Sequence, residues 1–174
     1  MSRIGNWIID MRNSESNEEQ AYADSQYEQQ FKSKYEQITD DLKRCRNVFV
    51  YGTLQKNAGN HLLLEGQKFL GDAETVGKYY ETISGYVPFV SKLKQLHTIK
   101  GELYKIDNEH TMLDLDGLEG HPNWYCREVI SVLDENGKEQ RAWLYFNDSC
   151  LNRPAVEDGD YKKHIWNQTK RRNL

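Results

Sequence analysis

Residues 124–147 read WYCREVISVLDENGKEQRAWLYFN. Two runs rich in β-branched and aromatic residues flank the polar segment ENGK at 135–138. Asn136-Gly137 is the pair favoured in a type I′ turn, whose twist suits two antiparallel strands, so a hairpin is expected. Upstream of it, NVFVYGTL (47–54) predicts a strand that ends in a Gly-Thr turn, and HTIKGELYKI (97–106) alternates as a strand. GKYYETISGYVPFV (77–90) is β-rich, but its Pro88 and two glycines predict an irregular or edge strand. NHLLLEGQKFLG (60–71) predicts a short helix with Leu62, Leu63 and Leu64 partly buried and Gly71 as its stop. NEHTMLDLDGLEG (108–120) predicts a helix with Met112, Leu115 and Leu118 on one face, ending at Gly120 and Pro122. Strands outnumber helices, so the class is α+β with a mixed or largely antiparallel sheet.

Residues 1–46 form an N-terminal helical extension to a domain spanning 47–174. Asn13 to Asp41 holds no Gly or Pro and is crowded with Glu, Gln and Ser. Within it Tyr27, Phe31, Tyr35, Ile38 and Leu42 are spaced 4, 4, 3 and 4 apart, a narrow helical stripe. Ser16 with Glu19, or Asn17 with Gln20, would form a capping box at its start. The stripe packs either on the main domain or on a second copy of the chain, in the latter case making a homo-oligomer.

The 174 residues are 37% hydrophobic and 29% charged, polar for one domain. No apolar run approaches the roughly 20 residues needed to span a bilayer, and the start MSRIGNWIID has no signal-peptide character. A formal net charge of -4 disfavours nucleic acid as a partner. Lys170, Arg171 and Arg172 read as a solvated tail. Three cysteines (Cys45, Cys126, Cys150) without a CxxC pair argue against a disulfide framework and a thiolate zinc site, and point to the cytoplasm. Cys126, in a strand, reads as a small buried hydrophobe.

There is no GxGxxG after a strand and no P-loop. Asp114, Asp116 and Glu119 fail the calcium-loop pattern, and Asp114 and Asp116 read as solvated helix surface. His110 and Asp114 lack the further ligand a metal needs. Two features carry chemistry. Tyr51-Gly52-Thr53-Leu54 closes the first strand; successive amides there can cup a carboxylate or oxyanion, or the turn is an ordinary strand-to-helix connection. If it binds, Gly52→Ala harms binding more than stability. Glu119 is flanked by Leu118, Gly120, Pro122, Trp124 and Tyr125; apolar surroundings raise a carboxyl pKa toward the range of a general acid or base. The alternative is a surface glutamate in a last helical turn.

Four blocks occur in order: V-x-V-Y-G-T-L with Asn60-His61 behind it; Gly101, Glu102, Leu103, Tyr104; Leu115, Asp116, Gly117, Leu118, Glu119; and Pro122, Tyr125, Arg127. This pattern, with an echo at Gly159, Asp160 and Tyr161, resembles the gamma-glutamylcyclotransferase superfamily, and more closely its gamma-glutamylamine cyclotransferase-like branch. The resemblance implies a small barrel-like sheet with flanking helices. It implies a gamma-glutamyl small-molecule substrate and cyclisation to 5-oxoproline with release of an amine, without cofactor or metal. Glu119 would be the catalytic acid/base; Tyr51, Gly52, Thr53 and Leu54 would bind substrate, with Tyr125 and Arg127 beside them. A non-catalytic ligand-binding or protein-interaction module on the same scaffold is the rival, since fold does not fix function.

Overall fold

The computed structural model describes the backbone of residues 3–172 and the side chains of 19–170. The chain forms two compact units, one ending at Asp40 and the other starting at Asp41. The first is a helix, α1 (Arg3–Arg44), whose last turn belongs to the second unit. Helix runs unbroken past Ser16 and Asn17, so neither caps a start there. Tyr27 and Phe31 of the expected stripe are exposed. Among the described residues no helix is long and apolar enough to cross a membrane.

The second unit is α+β. Five strands close a barrel in the order β1 (Asn47–Val50), β5 (Lys100–Lys105), β2 (Lys68–Thr75), β6 (Cys126–Asp134), β7 (Glu139–Phe146). All neighbours are antiparallel except β7 with β1, which pair in parallel at Val48 and Trp143 and complete the closure. A separate hairpin, β3 (Tyr80–Ser84) and β4 (Val87–Ser91), lies outside the barrel. Two helices complete the unit, α2 (Glu109–Glu119) and α3 (Tyr161–Arg172).

Strand alternation sorts the interior from the outer face. Ala142, Leu144 and Phe146 of β7 join Phe49, Leu103 and Val132 in the barrel core. Trp143 and Tyr145 point the other way and are buried too, each with a polar partner: Trp143 Nε1 donates to the Cys45 carbonyl at 2.9 Å, and Tyr145 Oη to Asp116 Oδ1 at 2.7 Å. Helix α2 forms as its sequence predicts. Asn108 caps it by accepting from the Thr111 N–H at 2.9 Å, Met112 and Leu115 are buried, and Gly120 ends it at φ 61°, where a side chain would be strained.

Four expectations are corrected. The 60–71 segment is only a 3₁₀ turn at His61–Leu64; β2 starts at Lys68, and Gly71 sits inside it at a bulge instead of stopping a helix. The turn after β6 has a Gly137 N–H to Asp134 carbonyl bond (2.8 Å) and positive φ only at Gly137, so it is a three-residue loop with a left-handed glycine, not type I′. Asp116 is 1% exposed, not solvated. Cys126 is exposed, not buried. The basic residues at 170–172 continue α3, whose Tyr161 donates to the Tyr86 carbonyl at 2.9 Å and so braces the β3–β4 hairpin.

Candidate active site

The turn after β1 is held from several sides. Gln55 Nε2 donates to the Tyr51 carbonyl at 2.8 Å, and the Asn60 amide donates to Thr53 Oγ1 at 2.9 Å. The Asn60 N–H reaches the Thr53 carbonyl at 2.9 Å, and His61 Nδ1 lies 3.1 Å from the Leu54 carbonyl. Glu102, buried in β5, accepts from the Lys56 N–H at 2.8 Å and the Tyr104 hydroxyl at 2.8 Å, and pairs with Lys162. Asn60-His61 and the Glu102/Tyr104 block thus shape the turn. The N–H groups of Gly52, Thr53 and Leu54 donate to no acceptor among the described residues. Gly52 is required by packing: a Cβ there would meet Pro88 Cγ at 2.1 Å.

Glu119 is the last residue of α2, and Asp116 lies three positions earlier on the same helical face. Asp116 Oδ1 accepts from Arg127 Nε at 2.8 Å as well as from Tyr145, and Arg127 Nη1 reaches Asp41 Oδ2 at 3.0 Å. This buried network ties α2 to β6 and β7. The Tyr145 carbonyl in turn accepts from the Tyr51 hydroxyl at 2.9 Å, and the Pro88 carbonyl from the Tyr125 hydroxyl at 2.8 Å.

A cavity of about 170 Å³ lies between these elements. It brings together Tyr51, Gly52, Thr53, Leu54, Glu119 and Tyr125. Arg127 is not among its lining residues; it sits behind, in the Asp116 network. Sequence reading missed Tyr145 and Trp124 as walls. Tyr145 is the cross-strand partner of Arg127, a pairing that follows only once the hairpin register is fixed. Trp124, 54% exposed beside Glu119, was visible only as an aromatic neighbour.

Glu119 is half-buried, and no hydrogen bond or ion pair holds its carboxylate among the described residues. Burial pushes its pKa up to about 7. A carboxyl group with that pKa can take and return a proton near neutrality. The Tyr51, Tyr125 and Tyr145 phenols are pushed up as well, chiefly by burial, so they stay protonated as donors.

The family model "Gamma-glutamyl cyclotransferase, AIG2-like" matches residues 48–163. The chain belongs to that family. It is an enzyme of the gamma-glutamylcyclotransferase type. A Methanocaldococcus jannaschii protein provisionally named a gamma-glutamylcyclotransferase is 42% identical over 119 residues, covering 67% of this chain and 96% of that one. Gamma-glutamylaminecyclotransferase B of Danio rerio is 34% identical over 130 residues, covering 65% and 67%. The crystal structure of a mouse AIG2-like protein superimposes with a TM-score of 0.59 at 28% identity, covering 66% of this chain and 88% of that one. The family match begins at Val48 and so leaves α1 outside it.

Proposed function

We propose that this gamma-glutamylcyclotransferase-family enzyme cyclises a gamma-glutamyl amide to 5-oxoproline, with Glu119 as general acid/base. The observation that carries the reading is an unpaired, half-buried carboxylate of raised pKa sharing one cavity with three unengaged amides. The substrate's α-amine attacks its own γ-carbonyl carbon, and a C–N bond forms to close the five-membered ring. Glu119 takes the proton from the attacking nitrogen. The tetrahedral intermediate collapses, the original amide C–N bond breaks, and Glu119 returns the proton to the departing amine. Fixed N–H donors at Gly52, Thr53 and Leu54 hold the anionic oxygens of the bound substrate without reorganising. Tyr51 and Tyr125 wall the cavity and hold the folded near-attack conformer. Arg127 is a positioning residue that acts through Asp116.

The test is incubation with gamma-glutamyl-ε-lysine, other gamma-glutamyl amines and glutathione, with detection of 5-oxoproline. Stoichiometric release of 5-oxoproline and free amine from at least one of them is expected. Binding of such compounds without 5-oxoproline would instead support the ligand-binding module.

A further inference from the structure

The arginine behind the cavity is held by two carboxylates, and one of them comes from outside the family domain. The Arg127 side chain on β6 is 3% exposed, so its guanidinium must find acceptors inside the protein. Asp116 takes one edge of the fork, accepting from Nε at 2.8 Å through Oδ1 and from Nη2 at 3.3 Å through Oδ2. Nη1 points away from that edge and reaches Asp41 Oδ2 at 3.0 Å. Asp41 lies in the last turn of α1, upstream of Val48, where the family match begins. It is buried, and its other oxygen lies 3.5 Å from the exposed Arg44.

The same turn also fixes the ring that the guanidinium covers. Arg127 Cζ lies 4.6 Å from the centre of the Trp143 ring, within cation–π range. Trp143 Nε1 donates to the Cys45 carbonyl, and the Cys45 N–H donates to the Asp41 carbonyl at 2.9 Å, which closes the turn. Two carboxylates and an indole face leave the fork one orientation.

That orientation reaches the cavity. Asp116 Oδ1 is shared between Arg127 Nε and the Tyr145 hydroxyl, so the set of this carboxylate places the Tyr145 ring, which walls the cavity. The Tyr145 carbonyl in turn receives the Tyr51 hydroxyl. Glu119 follows Asp116 by three residues on α2. A guanidinium held less firmly at Nη1 would re-aim on Asp116 alone, and the Tyr145 wall and the end of α2 would shift with it.

We infer that Asp41 is a positioning residue for ring closure: through Arg127 and Asp116 it sets the Tyr145 wall and the end of α2 that carries Glu119. The last turn of α1 is then a working part of the site. This rests on the cyclotransferase reading above.

The test measures 5-oxoproline release by full-length variants, well below their melting temperatures, from a gamma-glutamyl amide of the panel above that the wild type accepts. Asp41→Asn is nearly isosteric and removes only the charge. It is expected to lower kcat about tenfold with KM within about twofold of wild type. Asp41→Glu returns the charge and is expected to bring kcat back to within about threefold. Leu42→Ala removes a buried side chain from the same turn; it is expected to lower the melting temperature and leave kcat unchanged. A kcat for Asp41→Asn within about twofold of wild type would overturn the inference. So would an equal loss in Leu42→Ala, which would make packing of the turn the cause, or an Asp41→Glu variant as slow as Asp41→Asn. Each of these outcomes leaves the cyclotransferase reading standing, because the wild type turns over. No 5-oxoproline from the wild type with any compound of the panel would overturn both.

Discussion

Replacing Glu119 with Gln should make the protein more stable, and only above a certain pH. Its carboxyl pKa rises from the ordinary 4.5 to about 7 because burial penalises the charged form. Below about pH 4.5 the group is neutral in both folded and unfolded chains, and the near-isosteric Gln changes little. Between 4.5 and 7 the unfolded chain releases its proton while the folded chain keeps it, so the folded state loses about 1.4 kcal/mol for each pH unit. By pH 7 and above the penalty reaches about 3 kcal/mol, and Gln escapes it. For a domain of this size that is a rise in melting temperature of roughly 6–12 °C. Thermal unfolding of wild type and variant from pH 4 to 8 should give curves that coincide at the acid end and diverge upward. Melting temperatures that stay together across the whole range would mean that Glu119 is ordinarily solvated, and the case for it as a base near neutrality would fail.

Glu81 on β3 is 1% exposed, and neither carboxylate oxygen has a hydrogen-bond partner among the described residues. Burial, followed by Asp160, holds its pKa well above the usual carboxylate range, so Glu81→Gln should stabilise the protein at pH 7 and leave it unchanged at pH 4; equal stabilisation at both would contradict the burial argument. Arg127→Met strands Asp116 in the interior and should cost about 3–5 kcal/mol in urea unfolding; a loss below about 1 kcal/mol would show that the pair does not tether α2. Gly52→Ala forces Pro88 aside and should cost about 1–3 kcal/mol as well as raising KM, contrary to the expectation of a mainly binding defect. An unchanged melting temperature would show that the hairpin yields freely.

Elements whose signals are local were legible. Helix α2 carries its cap at Asn108, its stripe at Met112 and Leu115 and its stop at Gly120 within thirteen consecutive residues. The β6–β7 hairpin was likewise evident from two β-rich runs around a turn, although one glycine does the work assigned to a pair. What depended on distant partners was not legible. Strand β2 follows three leucines and contains a glycine bulge, and only pairing with β5 and β6 makes it a strand. Asp116 and Glu119 look alike in LDLDGLEG. The partners of Asp116 lie on β6 and β7, so nothing near it in sequence shows that it is buried and Glu119 unpaired. The apolar neighbours of Glu119 adjoin it in the chain, which is why its perturbed environment could be anticipated. Glu81 gave no such signal, because its burial comes from the packing of the hairpin.

In the proposed ring closure one carboxylate, Glu119, moves the proton. The direct measurement is the single-turnover rate of 5-oxoproline formation by wild type and Glu119→Gln on a gamma-glutamyl amide the wild type accepts, with binding of the same compound measured in parallel. The variant's rate is expected to be lowered at least about a hundredfold, with binding within a few-fold of wild type. A variant that closes the ring at close to the wild-type rate would contradict that role for Glu119.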